Sequence, residues 1–339
     1  MKVKVYAAIA LMVLVVTSIG LAVDTPPARK KASGLVGMLP ASDVVAVVDT
    51  KRILNDALPR VLAANQPMLA KITGTMDSFQ TRTGIDPRKF DQVVFGLKAK
   101  PSAAGKAKFE AVAVARGDFS SATLITAVKT ASENKFREEK LGERTIYVIS
   151  IKDVAAKVND PKHRSMIEHF GESGELALAA IDANTVTFGS LARVRETLQG
   201  GTAVNADILA LLPTTGSPIV SFAGYMQEGM ANLLPLNKDE LGMNLAAIRY
   251  VAGTMDVAEG SASVHMMART AKPDQAQSLL TQIQGLQTIG KAILGNSPRA
   301  DRQVYARMAE NAKLARQGND VTLDLQVPQS DIDILVGKK

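Results

Sequence analysis

Two arginines occupy matching surroundings in this sequence. Ala115-Arg116 and Ala268-Arg269 each close an apolar alternating run just before the start of a helix. A guanidinium at a strand end beside a helix N-terminus offers forked donors and positive potential, which is a way to hold an anion. The structural alternative is an ion pair or a solvated charge. Four lysines, Lys98, Lys100, Lys106 and Lys108, crowd one stretch around Pro101-Ser102-Ala103-Ala104-Gly105. They are candidates for contact with a partner or an anionic lipid surface, the alternative being a solvated hairpin loop. The corresponding later stretch, Asp256 to Gly260, is short and acidic.

Other chemistry is thinly represented. The sequence contains no Cys and no Trp, which removes disulfides, thiolate nucleophiles, iron–sulfur clusters and cysteine zinc sites. His163 and His169 are six apart, so on a helix they point roughly 240° apart and share no face for a metal. His163-Arg164-Ser165-Met166-Ile167-Glu168-His169 does not follow the zinc spacings HExxH or HxxEH. His265 alternates with apolar neighbours and is expected to point away from the core. Asp43, Asp49 and Asp56 are the nearest candidates for a carboxylate site, although Asp49 stands where a helix needs an N-cap. Nucleophile elbows, phosphate loops, dinucleotide fingerprints and calcium loops are absent from the sequence. No cofactor and no metal is expected. Few aromatics are available for stacking, which argues against nucleic acid as a partner.

The elements that must position these residues follow a plan that recurs. Leu39-Pro40 opens the apolar run Val44 to Val48, Asp49-Thr50 stops it, and a short helix is expected to end at Leu58-Pro59. Leu212-Pro213 opens Ile219 to Ala223, Gly224-Tyr225 stops it, and a helix runs to Leu234-Pro235. Internal self-similarity of this kind indicates duplication. In the first unit, strands are expected over Phe90–Leu97, Phe109–Ala115 and Thr145–Ile149, with helices over 67–82 and after Asp118. Their order, strand, helix, strand, strand, helix, strand, predicts a split βαβ, ferredoxin-like module. A hairpin, Glu175–Ile181 and Thr185–Phe188, extends it, and a helix from Leu191 ends at Gly200. The second unit has strands over 245–251, with Gly253 matched to Gly96, and over 261–268. It continues with a helix from Pro273 to Leu294, a helix from Asp301 to Gln317 and a strand from Val321 to Val327. Ala276, Leu279, Leu280, Ile283, Leu286, Ile289 and Ile293 form one predicted apolar stripe on the long helix. Its opposite face carries Gln275, Gln277, Gln282, Gln284 and Gln287 and is a candidate protein interface.

The N-terminus carries an address. Lys2 and Lys4 precede an apolar run from Val5, and Ser18-Ile19-Gly20-Leu21-Ala22 offers the small residues a signal peptidase reads. The run reaches Val23, about the length that spans a bilayer, so residues 1–22 are expected to be either a cleaved leader or an uncleaved anchor. Residues 23–37, with Pro26-Pro27 and Arg29-Lys30-Lys31, read as a linker. Lys2 and Lys4 fall in the leader, so the net charge of +7 becomes +5 without it, a mild excess that bears on non-specific association only.

The Leu-Pro strand opening and its second copy resemble exported bacterial proteins of unknown function built from tandem modules. That resemblance implies envelope localisation and α+β modules, and it brings no catalytic residues. The sequence therefore predicts an α+β protein of two related modules, 38–200 and 201–339. It is expected outside the cytoplasm, as a non-catalytic binding or scaffold component with an envelope protein or an anionic lipid as partner. The alternative is an enzyme with a carboxylate site between the modules.

Overall fold

The computed structural model describes residues 34–100, 108–150, 174–200, 203–227, 245–258 and 260–337. The expected leader, His163, His169, Lys106 and the helix running to Leu234-Pro235 lie outside them. The fold is α+β. A twelve-stranded sheet, antiparallel throughout, runs in the order β11-β12-β10-β9-β8-β1-β2-β3-β7-β6-β5-β4. The strands are β1 (Val44–Asp49), β2 (Phe90–Lys100), β3 (Lys108–Gly117), β4 (Arg137–Leu141), β5 (Arg144–Ser150) and β6 (Glu175–Asp182). They continue with β7 (Thr185–Gly189), β8 (Val220–Tyr225), β9 (Ile248–Ala258), β10 (Ser261–Thr270), β11 (Lys313–Gln317) and β12 (Asp320–Pro328). The seven strands before residue 200 all lie on one side of the β1–β8 pair and the five after it on the other, in a single sheet.

This order corrects the split βαβ expectation. In that arrangement a third strand separates the first two, whereas β1 pairs directly and antiparallel with β2, and β2 with β3. The helix between β1 and β2, α3 (Gln66–Thr83), joins adjacent antiparallel strands instead of making a parallel crossover. Element order alone does not distinguish these outcomes, because the same string of strands and helices serves both.

Burial explains why β1 reads as an unbroken apolar run. Alternate strand side chains point to opposite faces, and both faces of the central strands are covered. Val45, Val94, Val112, Val114, Ile146, Val148 and Ala223 face one core layer. It is closed by Leu35 of the 3-10 turn Gly34–Met38, by Leu191, Val194 and Leu198 of α5 (Leu191–Gln199), and by Ile208 of α6 (Ala206–Leu209). The turn residues 34–37, expected to be linker, therefore belong to the folded body. Ala46, Val48, Val93, Phe95, Ala113, Ala115 and Phe222 face the other layer, against Leu124 of α4 (Ser121–Ala131).

The Leu39-Pro40 opening is pinned from a distance. The buried Arg193 guanidinium on α5 donates to the Ala41 carbonyl at 2.7 Å and to Ser42 Oγ at 3.0 Å, and Ser42 donates to the Pro40 carbonyl at 2.8 Å. Beyond β1, Asp49 accepts from the Arg52 N–H at 2.9 Å and caps α1 (Thr50–Arg52). The helical path does not stop at Leu58-Pro59. It passes through a π-wound turn, Ile53–Ala57, into α2 (Leu58–Val61), which carries Pro59 in its first residues.

In the second half, α7 (Pro273–Gly295) and α8 (Ala300–Asn311) form a helical hairpin, and α9 (Gln329–Val336) follows β12. The helix expected to reach Gln317 ends at Asn311, and residues 313–317 form the edge strand β11. Gly318, with φ of 58°, and Asn319 make the hairpin turn that returns β11 onto β12. The other edge, β4, is likewise missing from the sequence expectation. Both edges carry charged side chains, a composition that blunts edge pairing and hides the strand from an apolar-pattern reading.

Two positions in this architecture make it testable. Gly189 has φ of 153°, and a Cβ there would lie 2.3 Å from the Ala111 carbonyl oxygen and 2.7 Å from Val112 Cα. Gly189→Ala is expected to cost roughly 2–4 kcal/mol in urea unfolding, against about 1 kcal/mol for Gly216→Ala in an open turn. At the β4 edge, Glu139 accepts from Arg195 Nε at 2.5 Å and from its terminal nitrogen at 2.6 Å. Those bonds, then Arg137, hold its carboxyl below the usual glutamate range. The folded pKa is depressed, so the contribution is complete above the unfolded value of about 4.3 and is lost as pH falls through the folded value. Glu139→Gln should lower stability at pH 7 by under about 1 kcal/mol and have no effect at pH 2, read from urea midpoints.

Candidate functional site

The register places Arg116 and Arg269 at equivalent positions. Across the first half, Asp49, Gln92, Arg116, Thr185 and Asp182 stand side by side on β1, β2, β3, β7 and β6. Across the second, Tyr225, Tyr250, Arg269, Asp320 and Gln317 stand side by side on β8, β9, β10, β12 and β11. In each case the turn of the last hairpin sits over the strand end. The Asn184 carbonyl accepts from the Gly117 N–H at 3.3 Å, and the Asn319 carbonyl accepts from the Thr270 N–H at 2.9 Å. β1 and β8 are antiparallel, so the two rows lie at opposite ends of the sheet and the arginines are not brought together.

In both rows the chain itself supplies the anion. Arg269 donates to both carboxylate oxygens of Asp320, at 2.7 and 2.8 Å, and these bonds raise its pKa. Arg116 donates to Thr185 Oγ1 at 3.0 Å and reaches Asp182 at 3.9 Å. The carboxylate has changed strands between the halves, from β6 to β12. Beside Arg269, the rings of Tyr225 and Tyr250 pack at 5.3 Å, tilted by 59°, and burial, then the Asp207 charge, then Tyr225 push the Tyr250 hydroxyl up.

The lysines of the β2–β3 connection are also engaged. Lys98 donates to Asp43 at 3.0 Å, where the Ala99 N–H adds a second bond at 2.8 Å. Lys100 donates to the buried Glu110 at 2.6 Å. Lys108 contributes its backbone to β3 opposite Lys100. Of the three carboxylates singled out, Asp43 is thus held by Lys98, Asp49 caps α1, and Asp56 is exposed in the π-wound turn. Each has its own local place. His265 contacts Asp324 across β10 and β12 at a cleft lined by Ser261, Ser263, Lys313 and Gln326. Among the described residues, no three His, Cys, Asp or Glu groups converge as a metal site, and no helix is long and apolar enough to cross a membrane.

A different feature stands out on the surface. The single stripe expected along α7 divides in two. Ala276, Leu279, Leu280 and Ile283 pack against Val321, Ala268 and Val251 of the sheet. Leu286, Ile289 and Ile293 are 51, 57 and 69% exposed. At 100° per residue these three fall within about 60° of one another on one face of the helix. The distal half of α7 is held instead by α8: Gln287 donates to the Ala312 carbonyl at 2.9 Å and Lys291 pairs with Glu310 at 2.9 Å. Sequence periodicity groups all seven apolar residues because it registers spacing and not where the sheet ends. Of the Gln face, Gln287 is spent on α8, and Gln284 is exposed opposite the Leu286–Ile293 stripe.

The two arginines should respond unequally to removal. Arg269→Gln strips a nearly buried carboxylate of its bidentate partner and is expected to cost about 1–3 kcal/mol. Arg116→Gln breaks a long, half-exposed pair and should cost under about 1 kcal/mol. Thermal or urea unfolding of the two variants checks the difference.

No family model matches this sequence, and no relative is found among curated proteins. Among solved structures the chain is similar to TP0453. Crystal form III of that protein aligns with a TM-score of 0.46 at 12% identity, over 91% of this chain and 99% of that one. Form IV aligns with a TM-score of 0.43 at 12% identity, over 94% and 98%, and form I with 0.41 at 10%, over 90% and 97%.

Proposed function

We propose that this protein is a non-catalytic, exported component of the cell envelope, a binding module in which a broad rigid sheet presents the α7–α8 hairpin to a partner. The observation that carries this reading is the exposed stripe Leu286, Ile289 and Ile293. A soluble surface tolerates single exposed apolar residues, but an aligned group on one helix face is characteristic of contact surfaces. The N-terminal apolar run with its basic start supports export. The non-catalytic part rests on how the candidate groups are used: Arg269, Asp320, Lys98, Asp43, Lys100 and Glu110 each spend their charge on a partner within the chain.

We also read the two halves as related copies. The support is the pair of equivalent rows ending in Arg116 and Arg269, each beneath a turn containing Asn184 or Asn319. On this reading the halves have diverged in role, the first carrying the extra hairpin β4–β5 and the second the helical hairpin.

The test places a photo-crosslinking amino acid at Ile289 in the full chain, and in a second variant at Gln284 on the opposite face, and exposes each to bacterial envelope fractions. Adducts are expected from position 289 at least about tenfold in excess over position 284, the ratio expected for a face buried in contact against one left in water. Equal or absent adducts from the two positions would remove α7 as the contact element.

A further inference from the structure

Resting on that reading, we infer that the α7–α8 hairpin docks on an anionic lipid bilayer, with Leu286, Ile289 and Ile293 entering the headgroup and acyl boundary. Three features of the hairpin select this occupant. The stripe is narrow. Three side chains on one helix do not supply the roughly 800 Å² per partner of a standard protein interface, but an amphipathic helix lying in the plane of a bilayer needs only such a face.

The second feature is the nature of the flanking surface. From Gln275 to Gly290 α7 carries no charged residue, and its polar positions are Gln, Ser and Thr. Such groups can rest among headgroups without the desolvation cost of a buried charge. The third is the sign of the charge that does appear. Over the whole hairpin, residues 273–311, the basic residues are Lys291, Arg299, Arg302 and Arg307 and the acids Asp274, Asp301 and Glu310, Asp301 being bound to Arg299 at 2.6 Å. Lys291 and Arg307 are taken by Glu310 and Asp331. Arg302 is exposed at the start of α8, near the distal end of the hairpin. A positive charge at the tip of the hairpin, the end at which the apolar stripe finishes, complements an anionic leaflet.

The N-terminal segment makes the encounter local. Where residues 5–23 remain as an anchor, the ten residues 24–33 extend over at most about 35 Å, so the folded body stays within reach of the membrane. Docking through the hairpin then adds a second, weak contact to an existing tether, which needs little intrinsic affinity.

The absence of Cys from the sequence makes a direct test available. The full chain is prepared as Ile293→Cys and, separately, as Gln284→Cys, and each is labelled with an environment-sensitive fluorophore. Each is then mixed with vesicles of phosphatidylcholine alone or of phosphatidylcholine mixed with the anionic lipid phosphatidylglycerol, whose negative surface potential attracts basic groups. The label at 293 is expected to brighten severalfold and shift to the blue with anionic vesicles only, while the label at 284 stays unchanged. Arg302→Gln in the Ile293→Cys background should weaken the response by roughly fivefold at low salt, the effect of about 1 kcal/mol per basic residue, and less at 0.5 M salt. A dark label at 293, or equal responses from both vesicles or both positions, overturns the lipid assignment. A dark label together with a protein adduct from position 289 would overturn it while leaving the binding-module reading in place; loss of the adduct as well would remove both.

Discussion

The structure depends on the antiparallel pairing of β1 with β8. Val44 opposes Gly224, Val45 opposes Ala223 and Ala46 opposes Phe222, so two strands distant in sequence form the middle of the sheet. Each has a highly apolar sequence, and either would be an exposed, sticky edge without the other. The close approach has a local requirement: a Cβ on Gly224 would lie 2.7 Å from Val44 Cγ2. A one-residue slip of the pair would turn Ala46 and Phe222 out of one core layer and Val45 and Ala223 out of the other. The equivalent rows through Arg116 and Arg269 share a common centre at Ala46–Phe222, so the seam also sets how the two halves correspond.

On either side of that centre the sheet differs through backbone details more than through strand composition. Gly189 ends β7 in a conformation open to glycine, and the chain turns back so that α5 covers the sheet face carrying Val112 and Val114. The equivalent position on β12 is Asp324, the strand continues to Pro328, and α9 leaves to pack against α8 and α2, with Arg307 bound to Asp331. The face that is apolar and covered in the first half stays apolar at Ala252 and Met267 in the second and turns polar further along the strands, where Ser263, His265, Asp324 and Gln326 share it. The helical hairpin α7–α8 covers the other face.

Much of the local structure was legible in the sequence, and the failures have identifiable causes. β1, the β6–β7 hairpin, α5 with its Gly200 stop and the Asp49 cap all follow from local patterns that the structure repeats. Arg116 and Arg269 stand at matching register positions near the ends of β3 and β10. Gly96 and Gly253 do not: the register sets Gly253 level with Phe95, because Val93 and Val251 each pair with the residue before the strand end, Val48 and Gly224. Strand pairing was the largest loss. It depends on contacts between residues far apart in sequence, to which a count of strands and helices is blind. The charged edges β4 and β11 were lost because what marks an edge strand is the same polarity that marks a loop.

The stripe on α7 was legible as a stripe, while spacing alone did not show where it leaves the core. A helix of 23 residues is about 34 Å long, and the part of its apolar stripe that packs on the sheet ends at Ile283. Beyond Ile283 the stripe residues Leu286, Ile289 and Ile293 are exposed, so the core makes no demand for apolar residues on that face. Ile is also a weaker helix former than Gln or Lys, so positions 289 and 293 gain nothing in helix stability from their side chains. The packing of Gln287 and Lys291 on α8 already secures the distal turns. Three large apolar residues at i, i+3 and i+7 thus stand where neither the core nor the helix calls for them, and the contact surface proposed for the hairpin accounts for their presence.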